Sequence, residues 1–142
     1  MGRTYRVEIV TPDRAVFSGE VESLRVTAYE GSLGVLAGHA PMLCVLQPGA
    51  VLLRTGSDRK AFVVSGGFMD VAGGRVLILA DSAETPESID RSRAEASARR
   101  ARERLQATAR KDVDLDRAER ALQRALNRLR MADKYGGGAY DF

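Results

Sequence analysis

Hydrophobic and polar positions follow two different periods along this chain, and the change falls near residue 85. Before it, Tyr5, Val7 and Ile9 alternate with Arg6, Glu8 and Val10, and Val21, Ser23 and Arg25 alternate with Glu22, Leu24 and Val26. A period of two sends successive side chains to opposite faces of a strand. Further strands are predicted at Met42–Leu46, Ala50–Arg54, Ala61–Val64, Phe68–Val71 and Val76–Ala80, with Val16–Phe17 as a short edge piece that Gly19 ends. Thr11-Pro12-Asp13-Arg14 reads as a turn, and Gln47-Pro48-Gly49, Thr55-Gly56-Ser57-Asp58, Ser65-Gly66-Gly67 and Ala72-Gly73-Gly74 read as the breaks between strands. Short strands at this spacing predict an all-β sandwich or flattened barrel over residues 1–84. No helix-period window precedes Thr85, which argues against a βαβ nucleotide-binding fold.

After it the period becomes helical. Leu115, Ala118, Leu122, Ala125, Leu129 and Ala132 recur at alternating steps of three and four, and Ala94, Ala98, Ala101, Leu105 and Thr108 repeat the pattern with smaller residues. Lys111-Asp112-Val113-Asp114 is long and polar enough to reverse the chain between them. Residues 85–134 are therefore predicted to form an antiparallel α-helical hairpin. Thr85-Pro86-Glu87 offers a capping hydroxyl, a first-turn proline and an acid for the first helix, and Asp114 and Asp116 serve the second. A seam of Ala and Leu permits close approach but buries little area, and at about 25 cal/mol per Å² of apolar surface it holds lightly. The expectation is a hairpin that can open. Tyr135 to Phe142, rich in glycine, reads as a flexible tail.

One stretch, residues 30–41, is neither plain strand nor plain turn. Gly31, Gly34 and Gly38 call for tight approach or positive φ, while Leu33, Val35 and Leu36 give it apolar content that a solvated loop lacks. His39, the only histidine, sits within it. No serine or cysteine is placed as its nucleophilic partner, and no second histidine makes a metal site with it. The single Cys44 lies in an apolar run and excludes an internal disulfide. Acids in the β half stand singly, and its Gly-Gly pairs lack the strand–loop–helix setting of a phosphate cradle. Nothing here points to catalytic residues or a metal. No run approaches the roughly 20 apolar residues of a membrane span, and the first residues do not read as a signal peptide. A soluble, cytosolic protein without direct membrane insertion is expected, one still able to dock on a membrane complex.

The net charge of +3 is unevenly placed. Residues 87–134 carry 14 Lys and Arg against 9 Asp and Glu, whereas residues 1–86 carry 8 against 9. The positive charge belongs to the helices. A nucleic-acid-binding adaptor using those basic helices is the alternative this invites. Its basic residues are interleaved with acids, however, and no aromatic falls between residues 86 and 134 to stack on bases. Filter binding at low salt separates the readings, and no nucleic-acid partner is expected.

Three segments in order, Gly31-Ser32-Leu33-Gly34-Val35-Leu36-Ala37-Gly38-His39-Ala40-Pro41, Val64-Ser65-Gly66-Gly67-Phe68 and Ile89-Asp90-Arg91-Ser92-Arg93-Ala94, make the chain from Tyr5 to about Ala132 resemble the epsilon subunit of the F-type ATP synthase. The resemblance implies a non-catalytic, central-stalk subunit of a proton-translocating machine, seated between the gamma subunit and the c-ring. It implies localisation on the cytoplasmic face of the bacterial plasma membrane. It also implies a C-terminal hairpin that folds against the sandwich or extends toward the alpha and beta subunits, where it inhibits ATP hydrolysis. By matching position, Glu30, Gly31, Ser32 and Leu33 fall in the loop that meets the c-ring, and His39 in a surface facing gamma. Ile89, Asp90, Arg93 and Ala94 match a motif by which some members bind ATP without hydrolysing it, with Arg124, Arg128 and Glu84 as further matches. No obligatory cofactor is implied, only a regulatory ATP. The tail from Tyr135 has no counterpart in that pattern, and the first helix is rich in arginine at Arg99, Arg100, Arg102 and Arg104.

Helical geometry can be asked the same question. With the seam at heptad positions a and d, Asp90 and Arg128 fall at g, and Arg93 and Arg124 at c. In an antiparallel pair these four share one face, with Arg128 across from about Ala96. Several guanidinium forks close together suit a triphosphate and repel when empty. The bland alternative is a solvated basic face.

Overall fold

The computed structural model describes residues 2–28, 31–107 and 115–137. Nine strands come first: β1 (Tyr5–Val10), β2 (Ala15–Val21), β3 (Ser23–Ala28), β4 (Gly31–Leu36), β5 (Met42–Thr55), β6 (Asp58–Val64), β7 (Gly67–Ala72), β8 (Arg75–Ala80) and β9 (Ala83–Glu84). A 3₁₀ turn at Pro86–Ser88 leads to α1 (Arg91–Ala107) and α2 (Leu115–Tyr135). Strands neighbour one another in the order β2-β1-β8-β7-β5-β3-β4, with β6 on β5 and β9 on β6. Only β1 and β8 run parallel; every other pairing among the described strands is antiparallel. The result is the β-sandwich followed by two helices that the two periods predict.

Alternation sorts the faces of β1 as expected, whereas the run 21–26 is split at Glu22, so Val21 at the end of β2 and Leu24 and Val26 of β3 reach the same core. Tyr5, Val7 and Ile9 of β1 point into a core shared with Val21, Leu24, Val26, Val35, Val51, Met69 and Ile78. Tyr5 is a buried exception in chemistry only, since its hydroxyl donates to the Val35 carbonyl at 2.6 Å and ties β1 to β4. Burial pushes its phenol up to about 12.

Four boundaries differ from the pattern-based expectation. Gln47-Pro48-Gly49 does not break the chain: β5 runs through it as one strand of 14 residues. What changes there is the partner, since residues 42–46 pair with β7 and residues 49–55 with β6. Proline has no N–H to donate, so the handover falls where a ladder bond would be missing anyway. Gly49 is needed beside it, because a Cβ there would collide with the Thr27 side chain. Likewise β2 continues through Gly19 to Val21, paired along β1. The glycine-rich stretch forms β4, an edge strand, and Gly31 opens it at φ +124°.

The third difference is the start of the helices. Thr85-Pro86-Glu87 begins a 3₁₀ turn whose Thr85 side chain makes no capping bond. The helix proper starts at Arg91, where the Asp90 carboxylate accepts from the Arg93 backbone N–H at 3.1 Å. The fourth is the end. Tyr135, expected in the tail, is the last residue of α2 and is buried against Ala50, Leu52 and Ala61 with Met131 beside it. Gly138 to Phe142 and the reversal at Lys111–Asp114 lie outside the described residues, as do Thr108 and Glu30.

Within the hairpin, Ala94, Ala98 and Ala101 of α1 and Ala118 and Ala125 of α2 are buried, Leu105, Leu122, Leu129 and Ala132 are half-buried, and Leu115 is exposed. The seam is as thin as the sequence predicts. Arg91 pairs with Asp133 across it and with Glu95 at 3.2 Å along α1, which raises the guanidinium's pKa further, mainly through the Asp133 hydrogen bond. Among the described residues no helix is long and apolar enough to cross a membrane, and no cluster of His, Cys, Asp or Glu is arranged to hold a metal.

Candidate functional site at the junction of hairpin and sandwich

Of the two helices, α2 makes the closer junction with the sandwich, packing on β5 and β6. Its contact face is a second stripe, Asn127, Met131 and Tyr135, spaced by four and separate from the seam toward α1. Asn127 is 2 % exposed, and both amide hydrogens are used, one to the Gly49 carbonyl at 3.3 Å and one to the Val64 carbonyl at 3.2 Å. Gly49 and Val64 are register partners on β5 and β6, so one side chain clips onto two adjoining strands. Its oxygen accepts from Arg130 Nη2 at 3.3 Å. The heptad reading missed this residue because it lies off the a/d seam. The available signal was an asparagine in mid-helix, a residue that prefers caps and turns unless its amide has a specific partner.

Beside Asn127 opens a cavity of about 430 Å³, lined by Ser65, Ser82 and Glu84 from the sandwich side, Ser97 from α1, and Arg124 and Arg128 from α2. A second hollow of about 380 Å³ adjoins it, sharing Ser65 and Arg124 and reaching Asp81, Arg120 and Phe68. Arg128 donates twice to Glu84, at 2.6 Å from Nε and 3.0 Å from Nη2, a fork-on-carboxylate pair with both side chains roughly 70 % covered. Since Glu84 ends the sandwich and Arg128 sits two-thirds along α2, this pair is a second tie between the two parts. Arg124 forms no ion pair with a described residue. The cavity thus holds two guanidinium groups against one carboxylate and several hydroxyls, a donor set suited to an anion.

The structure brings Glu84, Arg124 and Arg128 together, and Ser97 faces them where helical geometry puts Ala96 opposite Arg128. It does not bring the rest of the motif into that cavity. Asp90 is occupied as the cap of α1, Arg93 is exposed on the first turn, Ala94 is fully buried and Ile89 is half-buried just before the helix. His39 is half-buried in the turn after β4, where its Nδ1–H donates to the Ala40 carbonyl at 2.7 Å. Gly31 and Ser32 are exposed on edge strand β4, and Leu33 packs partly against the core. On the outer sheet face, Val45, Phe68 and Leu79 stand in register across β5, β7 and β8, all about half exposed, with Leu43 further along β5 at 71 %. Exposed apolar side chains in a row mark a surface built to be covered.

Comparison with known proteins accounts for both parts. The profile for the ATP synthase, Delta/Epsilon chain, beta-sandwich domain matches residues 4–86, and that for the ATP synthase, Delta/Epsilon chain, long alpha-helix domain matches residues 87–133. The ATP synthase epsilon chain of Bacillus velezensis is 47 % identical, covering 92 % of this chain and 98 % of its own length. That of Bacillus subtilis is 48 % identical over 93 % of this chain and 99 % of its own, and that of Desulforamulus reducens 40 % over 94 % and 100 %. A chain in the cryo-EM structure of Euglena gracilis mitochondrial ATP synthase superposes with a TM-score of 0.76 at 26 % identity, covering 87 % of this chain and 78 % of that one. By both halves of its length and by its fold, the chain belongs to the ATP synthase delta/epsilon family, as an epsilon chain.

Proposed function

We propose that this epsilon chain works as a central-stalk subunit whose sandwich couples gamma to the c-ring and whose hairpin is a regulatory arm restraining ATP hydrolysis. The observation that carries the arm is its attachment. Beyond its packing on the 3₁₀ turn at Pro86–Ser88 and the apolar contact around Tyr135, α2 is tied to the sandwich by polar groups, the Asn127 clip and the Glu84–Arg128 pair. Contacts so few and so polar exchange readily for others, such as those with the alpha and beta subunits when the hairpin extends. The row Val45, Phe68 and Leu79, with His39 in the turn leading to β5, is the surface assigned to gamma. Exposed Gly31 and Ser32 on edge strand β4, with Glu30 and Leu33, are assigned to the c-ring. The subunit is then peripheral, at the cytoplasmic face of the bacterial plasma membrane.

The same attachment is where ATP would act as a regulator. Arg124 and Arg128 supply the cationic donors, and a ligand that binds only the folded-back arm stabilises it by mass action, about 2.7 kcal/mol at a hundredfold excess over its dissociation constant. Arg93, Asp90, Ile89 and Ala94 belong to this reading through the matching motif, at the start of α1.

The test is reconstitution with the catalytic complex, comparing the full chain with one lacking residues 87–142. Hydrolysis is expected to be slower with the full chain and relieved by the deletion; equal rates would remove the inhibitory role. Arg128→Ala is expected to weaken ATP binding to the isolated chain by calorimetry.

A further inference from the structure

We propose that the sandwich supplies its own half of the ATP site: the hydroxyls of Ser65 and Ser82 hold the phosphate chain from the side opposite Arg124 and Arg128. This rests on the ATP-sensing reading above. The two serines are held in place twice over. The Ser65 backbone N–H donates to the Ser82 carbonyl at 3.2 Å, and Ser82 Oγ donates to Ser65 Oγ at 2.8 Å. Both line the cavity that Arg124 and Arg128 close from α2, and Ser65 also lines the adjoining hollow together with Arg124. With the Ser82 proton engaged on Ser65, the Ser65 proton has no acceptor among the described residues and is left to donate into the cavity. A hydroxyl that already accepts one hydrogen bond is the stronger donor for the next.

The charge balance agrees. Glu84 neutralises one of the two arginines, so the lined space keeps one uncompensated positive charge beside neutral donors. Glu84 would repel a phosphate from its own side, and Asp81 lines only the adjoining hollow, so within this cavity the serine side offers hydroxyl donors without a carboxylate. A cavity of about 430 Å³ falls within the usual range for small-ligand sites.

The placement has a consequence that arginines alone do not. A phosphate chain held only by α1 and α2 would tighten the hairpin on itself. One held also by Ser65 and Ser82 bridges hairpin and sandwich, so occupancy and docking of the arm become a single equilibrium.

The experiment is calorimetric titration of the full chain with ATP and, separately, with inorganic tripolyphosphate, for the unmutated protein and for Ser65→Ala/Ser82→Ala, with thermal melting in the absence of ligand. Both ligands are expected to bind the double variant about tenfold more weakly, with the ligand-free melting midpoint unchanged. If the unmutated chain binds neither ligand, the ATP-sensing reading itself fails. If it binds and the double variant binds equally well, the serine assignment is overturned while the arginine reading stands. Should the double variant melt lower without ligand, amide chemical shifts of the unmutated protein decide: tripolyphosphate is expected to move the Ser65 and Ser82 signals, and signals that stay put overturn the assignment.

Discussion

Two side chains show how a single polar group settles the fold's geometry. Tyr5 buries a ring in the core and spends its hydroxyl on the Val35 carbonyl, fixing β1 against β4. Its phenol titrates near 12 in the fold against about 10 when exposed, so the neutral form is the one the native state favours. The stability this gives is complete below pH 10 and is lost as pH rises from 10 toward 12. Unfolding midpoints measured across that window are expected to fall, and Tyr5→Phe is expected to flatten the fall while costing about 1–3 kcal/mol at neutral pH. Asn127 is the second case. Asn127→Asp would set a carboxylate against the Gly49 and Val64 carbonyls, and Asn127→Leu would leave both without a donor. Either change is expected to weaken docking by about 1–3 kcal/mol, seen as faster proteolysis within α2 while the sandwich resists. Equal protection of α2 in the variants would remove Asn127 from the account.

At the scale of elements, what the sequence shows and what it hides have physical reasons. Strands with one wet face, such as β1 and β3, are legible because alternation is a two-face pattern and both faces are occupied as the period predicts. β5 is not, since a proline and a glycine inside it look the same as a turn until the neighbouring strands are known. The beginning of α1 misleads in a similar way. Thr85-Pro86-Glu87 has every local feature of a helix start, yet the capping bond forms at Asp90. Asp90→Ala is therefore expected to lower helicity, with a cost of about 1 kcal/mol, and Thr85→Ala to change circular dichroism little. Tyr135 was hidden by the glycines after it, and Ser65 and Ser82 by lying 17 residues apart, each just outside a strand (β6 and β9) whose pairing only the fold reveals. The arginines of the junction were legible through the family motif, and their spacing of four puts Arg124 and Arg128 on one side of α2.

For the whole molecule, the sandwich and the hairpin are unequal partners. The large core cluster contains residues from the strands alone, and the helices contribute only Tyr135 and Met131 to a small satellite. A chain shortened to residues 1–86 is accordingly expected to keep a cooperative thermal transition, lowered by a few degrees through exposure of Ala50, Leu52 and Ala61. A broad, non-cooperative melt of that fragment would show that the helices are needed to organise the sheet. The converse asymmetry holds for the hairpin. With an alanine seam, the Asn127 clip, the Glu84–Arg128 pair and a small contact around Tyr135, it adds no residue to the main core.

β5 has one more implication. The strand that presents Leu43 and Val45 outward at one end carries Gly49, Ala50 and Leu52 beneath α2 at the other, with no joint between. On the proposed reading, torque entering through the exposed end passes along one continuous strand, held by β7 at residues 42–46 and between β6 and β3 over residues 51–54. On that reading a shaft gripping Leu43 and Val45 keeps its hold while the arm comes and goes, because Asn127 and Tyr135 rest on the far half of the strand and only the hollow by Arg120 and Arg124 reaches back to Val45 and Phe68.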